Sequence, residues 1–469
     1  MKRKTTVLAL LFYLFTITVN AQTSSQPAKF EFSVQQCIDY GVKNNVQVKN
    51  ALLDYNIQEQ TNKTITAAAY PQISASAGTT YYPNVAVQTF PDFFSPAVYG
   101  VLASEGVKNG NGEPIKVPDN FGFIHAAFGT KWNGNAGVSL SQILFDGEVF
   151  VGLQARQTVL DYSKKNIELT QENIKANIYK IYFQLVASKT QIEQLDANIA
   201  RTQKSLHDAN EMFKNGFAEK IDVDRFTVQL SNLQTQKMKV ENTISNGYLG
   251  LKVLIGMPLQ DTLTLTDDIT EDRIKQGLLN EGQYQYTDRK DFQYLEIGKK
   301  LNEYNVRRYK LSKLPTASLS ANYSKTAMRD QFNLFNKGDW FTSSYIGLNI
   351  HIPIFSGFAQ NASIEKAQLQ LKQTENQIQN LKIVIDNDVE QATNNYHNAV
   401  ATLDNQKQNM ALAEQVYNQA KKKYETGTGA NLEITNAQTD LTISQTNYIS
   451  ALYEAIIAYV DYVKAIGKL

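Results

Sequence analysis

The sequence predicts an α+β membrane protein in which four short β-strands alternate with very long antiparallel helices. Three observations support this prediction. Sets of motifs recur in the same order about 210 residues apart, two stretches of about 69 residues contain no proline, and segments of about ten residues alternate apolar with small or polar side chains. Proline-free segments with helical periodicity indicate long helices. Period-two alternation indicates strands whose two faces meet different surroundings.

The N-terminus indicates export from the cytoplasm. Lys2, Arg3 and Lys4 precede an apolar run over residues 7–19, and a small residue, Ala21, follows. A basic start, a short apolar run and a small residue at the cleavage site are typical of a secretory signal peptide. We therefore expect residues 1–21 to be removed, with a membrane-anchored N-terminus as the alternative. No later segment contains 18 consecutive apolar residues, so no transmembrane helix is expected after processing.

The composition argues against several classes of function. Lys plus Arg is 46 and Asp plus Glu is 45, which does not favour a broad nucleic-acid surface. A single cysteine, Cys37, excludes an intrachain disulfide framework, and we expect it to be a buried structural thiol. The four histidines are scattered, and no phosphate loop, zinc-protease helix or nucleophile motif is present. We therefore expect no enzymatic activity, no cofactor and no metal site.

The chain contains an internal duplication. Residues 138–147 and 348–357 are alternating segments that end in Phe-Asp-Gly and Phe-Ser-Gly, 210 residues apart. Residues 213–216 and 424–427, each an aromatic residue followed three positions later by glycine, are 211 residues apart. Similar spacings indicate one duplicated unit. We expect a first repeat over 22–258, a linking and equatorial region over 259–289, and a second repeat over 290–469.

Proline and glycine mark the boundaries of the predicted elements. Pro71 and Pro315 end a helix and precede a strand, because proline cannot continue a helix and favours an extended preceding residue. Gly147 and Gly357 mark the transitions from strand to long helix. In the first repeat we expect a helix to about 69, strands at about 72–82 and 135–145, and helices at about 147–215 and 219–256. In the second we expect a helix to about 313, strands at about 316–326 and 345–355, and helices at about 357–426 and 430–466.

The long helices have a narrow apolar seam. In the second repeat apolar or small residues follow steps of three and four, at residues 378, 381, 385, 389, 392, 396, 399 and 403, and again from 410 to 424. This is close to the 3.5-residue period of a coiled coil. The first long helix follows the same rule less regularly, from Ile174 to Ile199. Gly216 and Gly427 suit helix C-caps, so each repeat makes a hairpin of two helices.

The predicted strands suit a membrane-spanning sheet with one wet face. A soluble sandwich with one buried face is the alternative on alternation alone. Aromatic residues favour the membrane-spanning sheet, because they gather near the strand ends as they do in membrane-interface girdles. They are Tyr81, Tyr82, Trp132, Phe145, Tyr323, Trp340, Phe341, Tyr345 and Phe355. Four strands cannot close a barrel, for which about eight is the smallest common number. Several copies would therefore have to complete the sheet together.

The order of these parts resembles that of the TolC-like outer membrane efflux proteins. The motifs that carry the resemblance are residues 144–147 and 354–357, and the tip motifs 213–216 and 424–427 with the segments that follow them. It covers nearly the whole chain after residue 32. The resemblance implies a homotrimer whose four strands per chain form one twelve-stranded barrel in the outer membrane of a Gram-negative bacterium. It also implies a periplasmic α-barrel built from the long helices.

The resemblance further implies a passive exit duct of a tripartite efflux or type I secretion system. An inner-membrane pump of RND, ABC or MFS type would supply the energy, and a periplasmic adaptor would join the two. Contacts with the adaptor are expected at the tip turns, at Gly216, Gly427, Tyr424 and Phe213. The alternative function is a periplasmic coiled-coil adaptor or spacer, which would keep the helices but place the strands in a soluble sandwich.

The narrow end of the duct is expected at the start of the helices that follow the tip turns. Glu433 and Asp222 occupy matching positions there, and in an oligomer they would form carboxylate rings that favour cations. Ordinary acids at a helix N-terminus are the alternative. Family members often carry a second acid one turn after the first, but this chain has Asn436, so a less negative aperture is expected. The long segment 83–131 receives no role from the sequence.

Overall fold

The computed structural model describes residues 28–268, 271, 284–334, 336 and 338–469. The predicted signal peptide and part of the predicted equatorial region therefore lie outside the described residues. Within them the chain forms eight α-helices, one short 3₁₀-helix at Tyr286–Asp288 and eight strands. In chain order the α-helices and strands are β1 Lys29–Phe32, α1 Val34–Asn44, α2 Val46–Ala68, β2 Gln72–Tyr81, β3 Val87–Pro91, α3 Phe94–Ser104, β4 Phe123–Ala127, β5 Trp132–Phe145, α4 Gly147–Lys214, α5 Lys220–Ile255, β6 Thr262–Leu265, α6 Lys290–Leu311, β7 Thr316–Arg329, β8 Phe341–His351, α7 Ala359–Glu425 and α8 Asn431–Ala465.

The chain divides into two compact units. The helical unit comprises the described residues within 28–60, 157–303 and 368–469, and the sheet unit comprises those within 61–156 and 304–367. Both halves of the sequence contribute strands to the sheet unit and helices to the helical unit. None of the helices within the described ranges combines the length and the apolar character needed to cross a membrane.

The predicted apolar seam of α7 is buried. Ile378, Ile385, Tyr396 and Leu403 are buried, and the intervening seam positions are buried or half-buried. The seam continues through Tyr417 and Ala420 to the end of the helix. Residues between the seam positions are mostly exposed Gln, Asn and charged side chains. A narrow buried stripe on an otherwise wet helix is the geometry of coiled-coil packing.

The largest core of the helical unit joins both halves of the chain. It packs Cys37 of α1, Tyr182 of α4, Leu251 of α5 and Tyr396 of α7 with the buried side of α8. Cys37 is fully buried, as predicted, and this burial raises the pKa of its thiol to about 12. A thiol that stays protonated and buried is a packing residue.

A small parallel pair of strands brings distant segments of the helical unit together. β1, near the start of the described chain, pairs with β6, which follows α5. The buried Tyr182 fastens this pair, because its hydroxyl donates to the Phe32 carbonyl at 3.1 Å and accepts from the Asp267 amide at 3.1 Å. Residues 29–32 and the segment 262–267 therefore share one core.

The sheet unit contains a four-stranded antiparallel sheet in the order β2-β5-β7-β8. The last strand ends at His351, four residues before the predicted end at 355. His351 pairs with Thr316, the first residue of β7, and the residue before it is Pro315. Proline has no N–H to donate, so the ladder cannot continue past His351.

The two strand-to-helix transitions differ in mechanism. In the first half Asp146 caps α4 by accepting from the Glu148 amide at 2.8 Å, and Gly147 is already helical. In the second half two consecutive residues, Gly357 and Phe358, have φ of 60° and 67°. The left-handed region is easy for glycine and costs about 1–2 kcal/mol for other residues. The transition in the second half is therefore the strained one.

The segment 83–131 has its own folded structure. β3 and β4 form an antiparallel hairpin with Thr89 opposite His125, whose side chains are joined by a 2.8 Å hydrogen bond. Helix α3 follows β3, and Asp92 caps it by accepting from the amides of Phe94 and Ser95. We call residues 83–131 the insert. The length of the insert was evident from the sequence, but its hairpin and helix were not predicted.

Candidate functional site

The four-stranded sheet has one apolar face. The registers place Ile73 opposite Leu140, Val138 opposite Tyr323, and Leu319 opposite Leu348. These pairs belong to a continuous set on one side of the sheet. Its apolar members are Ile73, Ala75, Ala77, Tyr81, Trp132, Ala136, Val138, Leu140, Ala317, Leu319, Ala321, Tyr323, Ile346, Leu348 and Ile350. Gln142 lies at one end of this face, and Lys325 and Arg329 lie toward the other.

The opposite face of the sheet is mostly polar, and its large apolar members, Ile143, Met328 and Phe341, lie near the strand ends. It carries Ser74, Ser76, Thr80, Asn133, Asn135, Ser139, Ser141, Ser318, Ser320, Asn322, Ser324, Thr326, Ser343, Tyr345, Asn349 and His351. Several of these side chains bond across strands. The hydroxyls of Ser74 and Ser139 are 2.7 Å apart, and the Asn349 amide donates to the Ser320 hydroxyl at 2.9 Å. Such a face is suited to water.

Large side chains of the apolar face are exposed. Ile346 is 80% exposed, Leu348 and Ile350 are each 60% exposed, and Ile73 is 69% exposed. A water-soluble sandwich would bury this face against a second sheet. The described residues provide no such cover for these side chains.

Aromatic side chains cluster at one end of the strands. Tyr81, the last residue of β2, lies 4.6 Å from Trp132, the first residue of β5, between ring centroids. The ring centroid of Phe332, which follows β7, lies 4.7 Å from that of Trp132. Two of the aromatics expected near strand ends, Tyr323 and Tyr345, lie in the middle of β7 and β8. The longer β7 and the earlier start of β8 account for this difference.

Both outer strands of the sheet have a free edge. Among the described residues β2 pairs only with β5, and β8 pairs only with β7. Because each neighbouring pair is antiparallel, β2 and β8 run in opposite directions. An exposed edge presents a row of unpaired backbone groups, which is a template for pairing with another chain.

The two turns that end α4 and α7 have the same glycine geometry. Gly216 and Gly427 have φ of 79° and 75°, and a side chain at either position would meet no atom within 4 Å. The amide of Phe217 donates to the Met212 carbonyl, and that of Thr428 donates to the Lys423 carbonyl. These are the bonds of a helix C-cap with a left-handed glycine. We call residues 215–219 and 426–430 the tip turns.

The side chains predicted beside the tip turns fall into two groups. Phe213 is 44% exposed, and its neighbour Phe217, which the sequence analysis did not single out, is 83% exposed. Tyr424 is half-buried instead. Its ring lies edge-on to Phe226 at 6.3 Å, and burial raises the pKa of its hydroxyl. Tyr424 therefore packs the helix ends together, and Phe217 is available to a partner.

A small apolar core holds the four helix ends together. It comprises Ala209 of α4, Phe226 of α5, Tyr417 and Ala420 of α7, and Ile434, Ala437 and Leu441 of α8. Buried Asn431, the first residue of α8, links the start of α8 to the start of α5, since its side-chain amide donates to the Asp222 carbonyl at 3.4 Å. The two hairpin ends thus behave as one packed structure.

A buried polar cluster lies next to this core. Gln438 of α8 is fully buried, and its amide nitrogen donates to the Thr202 hydroxyl and to the Asn198 carbonyl. Asn198 in turn donates to Gln445 at 2.8 Å. The Gln438 Oε1 atom has no hydrogen-bond partner among the residues that the structure describes. Directional bonds of this kind specify the register of α8 against α4.

The predicted aperture residues have different environments. Asp222 completes a capping box, because its carboxylate accepts from the Glu219 amide at 3.3 Å. The carboxylate of Glu433 accepts from the Lys423 ammonium at 2.8 Å, and both side chains are about half exposed. Asn436 is exposed on the same side of α8 as Glu433. Asp222 therefore has a local capping role, and the charge of Glu433 is partly neutralised.

One acidic residue on this face was missed by the sequence analysis. Asp440 is exposed, and it follows Glu433 and Asn436 at helical spacing. The family pattern places the second acid one turn after the first, where Asn436 stands. Looking two turns along the same face would have found Asp440. Glu433, Asn436 and Asp440 form one exposed polar stripe on α8.

A charged cluster lies near the start of α6. Arg289 donates to the Asp291 carboxylate at 2.7 Å and to the Ala465 carbonyl at 3.1 Å, and its guanidinium is 3.5 Å from Asp388. Burial acts to raise the pKa of Asp291, but the hydrogen bonds and charge of Arg289 lower it on balance. Arg289 therefore ties α6, α7 and the end of α8 together.

Comparisons with known proteins agree with this arrangement. Residues 287–468 match the family described as outer membrane efflux protein. The chain is 19% identical over 340 residues to the outer membrane protein TolC of Vibrio cholerae, covering 71% of this chain and 77% of that protein. It is 22% identical over 341 residues to the outer membrane efflux protein BepC of Brucella suis, covering 72% of each.

The fold is also that of a solved channel. The Campylobacter jejuni CmeC outer membrane channel superposes with a TM-score of 0.72 at 17% identity, over 93% of this chain and 85% of that one. The resemblance predicted from the strand-exit and tip motifs is thereby confirmed. The chain is thus similar to the TolC-like outer membrane efflux proteins, and its residues 287–468 match the outer membrane efflux protein family.

Proposed function

We propose that this protein is a passive exit duct in the outer membrane of a Gram-negative bacterium. The observation that supports it most strongly is the four-stranded sheet with one exposed apolar face, one polar face and two free edges. An apolar outer face and a polar inner face are the pattern of a membrane sheet that surrounds water. The outer membrane location of the named relatives agrees with this proposal.

The free edges support closure by several copies. β8 of one copy can pair with β2 of the next in an antiparallel ladder, which continues the alternation already present within the sheet. In lipid, unpaired edge groups cost several kcal/mol each, so a closed ring is strongly favoured. Three copies of four strands make the twelve-stranded barrel that the family resemblance implies. The long helices of the three copies would continue it as an α-barrel in the periplasm.

The tip turns are the proposed docking site for the periplasmic adaptor of an inner-membrane pump. Gly216 and Gly427 leave open space around the backbone, and exposed Phe213 and Phe217 offer apolar contacts beside it. Tyr424 would contribute indirectly, because its packing between the helix ends holds the turns in position. In this proposal the duct, the adaptor and a pump of the RND, ABC or MFS class form a tripartite assembly. The duct itself needs no cofactor and no chemical step.

A matched pair of lysine substitutions tests the orientation of the sheet. Leu348→Lys places a charge on the apolar face, and Asn349→Lys places the same charge one residue away on the polar face. A lysine on the lipid side costs about 2–4 kcal/mol near the bilayer centre. We therefore expect Leu348→Lys to reduce the heat-resistant trimer recovered from outer membranes, and Asn349→Lys to leave it assembled.

The measurement is detergent extraction of the outer membrane fraction followed by protomer counting and gel mobility with and without heating. Equal recovery of both lysine variants would contradict the proposed orientation. A wild-type protein that purifies as a stable monomer without detergent would overturn the duct itself.

A further inference from the structure

The insert has an uncovered apolar surface that the duct function does not explain. Helix α3 contains 11 residues and no Asp, Glu, Lys or Arg. Phe94, Val98 and Val101 are 62%, 56% and 62% exposed. Phe123, at the start of β4, is 68% exposed. Surface helices normally place charged or polar side chains toward water, so this face is unusual for a segment surrounded by water.

The exposed side of α3 is distinct from the side that packs on the insert. Pro96, Tyr99 and Leu102 are half-buried, and the Tyr99 ring lies 5.5 Å from Phe121. Phe94, Ala97, Val98 and Val101 follow at helical spacing on the opposite side, and all are exposed. Both sides of the helix are therefore apolar, although only one has a partner within the insert.

The position of the insert in the chain points to lipid. It leaves the sheet directly after Tyr81 and Tyr82 and returns just before Trp132. Tyr81 and Trp132 are the neighbouring aromatic pair at the end of the apolar sheet face, where an interfacial girdle is expected. The insert therefore follows directly in sequence from the end of the sheet whose apolar face is proposed to contact lipid.

The length and composition of α3 suit a position in the interface. At about 1.5 Å per residue α3 is about 16 Å long, which is too short to span a hydrocarbon core of about 30 Å. Helices that lie in the plane of the interface bury an apolar face with Phe, Trp or Leu by about 5–10 Å. The charged residues of the insert lie outside α3, mainly over residues 105–119.

We propose that the insert is a membrane-surface anchor, whose α3 lays Phe94, Val98 and Val101 into the outer leaflet beside the sheet. This inference depends on the proposed duct function, because it requires the sheet to span the same bilayer. It assigns the insert a lipid partner, and it predicts that the segment 105–119 remains in water.

Spin labels on single introduced cysteines test the proposal. The full chain is reconstituted in vesicles of phosphatidylethanolamine and phosphatidylglycerol, with labels at Val98→Cys and Ala97→Cys on α3. Ile346→Cys reports the apolar sheet face, and Asn109→Cys reports the water-exposed part of the insert. The native Cys37 is fully buried, so it does not react in the folded protein. Accessibility to oxygen, which concentrates in lipid, is compared with accessibility to a nickel chelate, which stays in water.

The expected result is an oxygen-to-nickel ratio at 97 and 98 that matches the ratio at 346 and exceeds the ratio at 109. If 346 reports lipid while 97 and 98 match 109, the anchor is overturned and the duct stands. If 97 and 98 are shielded from both reagents, a protein covers the helix, and the lipid partner is wrong. If 346 itself reports water, the duct fails and the anchor fails with it.

Discussion

At the scale of single residues, the most informative site is a buried carboxyl on α4. Glu172 is buried, and its Oε1 atom has no hydrogen-bond partner in the described part of the chain. Burial raises the pKa of Glu172, although the nearby Lys464 acts to lower it. A buried group with an unmet acceptor is costly when it ionises. This carboxyl therefore reduces the stability of the protein as the pH rises.

The sign of this effect can be tested with Glu172→Gln. A carboxyl whose pKa is raised on folding favours the folded state below its ordinary pKa and loses that contribution as the pH rises through the raised value. We expect Glu172→Gln to raise the melting temperature at pH 8 and to give no gain below about pH 4, the ordinary range of glutamate. Thermal unfolding in detergent across this pH range is the measurement.

An exposed acid on the same helix provides the control. Glu193→Gln changes the same functional group at a position open to solvent. We expect little change in melting temperature at either pH. A gain for Glu172→Gln that is equal at both ends of the pH range would show that ionisation of Glu172 is not its cause.

The backbone conformation of Phe358 could not be predicted from the sequence pattern. Phe358 directly follows Gly357, the glycine of the second strand-to-helix transition. In the structure its backbone has φ of 67°, and its ring contacts Phe355 at 5.5 Å between centroids. The chain keeps the backbone conformation that glycine adopts easily, at the cost of local strain.

At the scale of elements, the first strand-to-helix transition depends on close packing against α6. A side chain at Gly147 would place its Cβ atom 2.7 Å from the Leu311 Cβ atom and 2.7 Å from the Leu311 carbonyl oxygen. The carbonyl belongs to the backbone and cannot move independently. Gly147 is therefore required by contact with α6, whereas Gly357 is favoured by its positive φ and has open space around it.

We expect Gly147→Ala to destabilise the protein by about 1–3 kcal/mol, the usual cost of forcing an extra carbon into a packed site. Gly152→Ala, five residues further along α4, is the matched control. Its new Cβ atom would lie 3.7 Å from Ile65, an ordinary contact. Alanine is favoured over glycine within a helix by about 1 kcal/mol, so this variant should be neutral or stabilised.

Denaturant or thermal unfolding of both variants in detergent checks this prediction. Because the two changes are chemically identical and lie on one helix, their difference isolates the contact with Leu311. Equal stability of the two variants would mean that the Leu311 backbone moves freely to admit the side chain.

At the scale of the whole molecule, the exposed stripe of α8 would be repeated around the axis of an oligomer. Glu433 and Asp440 are acidic, and the ion pair with Lys423 offsets the first of them. The net charge that an ion would meet thus depends on the balance between Glu433 and Lys423. We propose that this balance sets the ion preference of the aperture.

Opposite substitutions of the pair should change selectivity in opposite directions. Glu433→Ala leaves Lys423 unpaired and should shift planar-bilayer conductance toward anions. Lys423→Ala frees the carboxylate and should shift it toward cations. Exposed charges are weak and screened by salt, so each change should be no more than about fivefold and should shrink at high ionic strength. Unchanged ion selectivity in both variants would remove this pair from the narrow part of the duct.

Local patterns in the sequence predicted most of the elements. The 3.5-residue seam of α7 identified the side that is buried, and the period-two alternation identified the two faces of the sheet. Pro71 and Pro315 directly precede β2 and β7. These features are local because they depend only on backbone geometry and on which side chains avoid water.

Tertiary structure decided how these elements use their charged and polar residues. The sequence by itself determined the class of fold, the family resemblance and the positions of the tip glycines. Only the folded chain paired Glu433 with Lys423 and made Asp222 a capping residue. Folding also buried the Glu172 Oε1 atom without a hydrogen-bond partner among the described residues, and it left α3 uncovered on one side. Periodicity specifies which face of an element is apolar. The contacts of a particular charge depend on distances between segments that are far apart in sequence, and those distances exist only after folding.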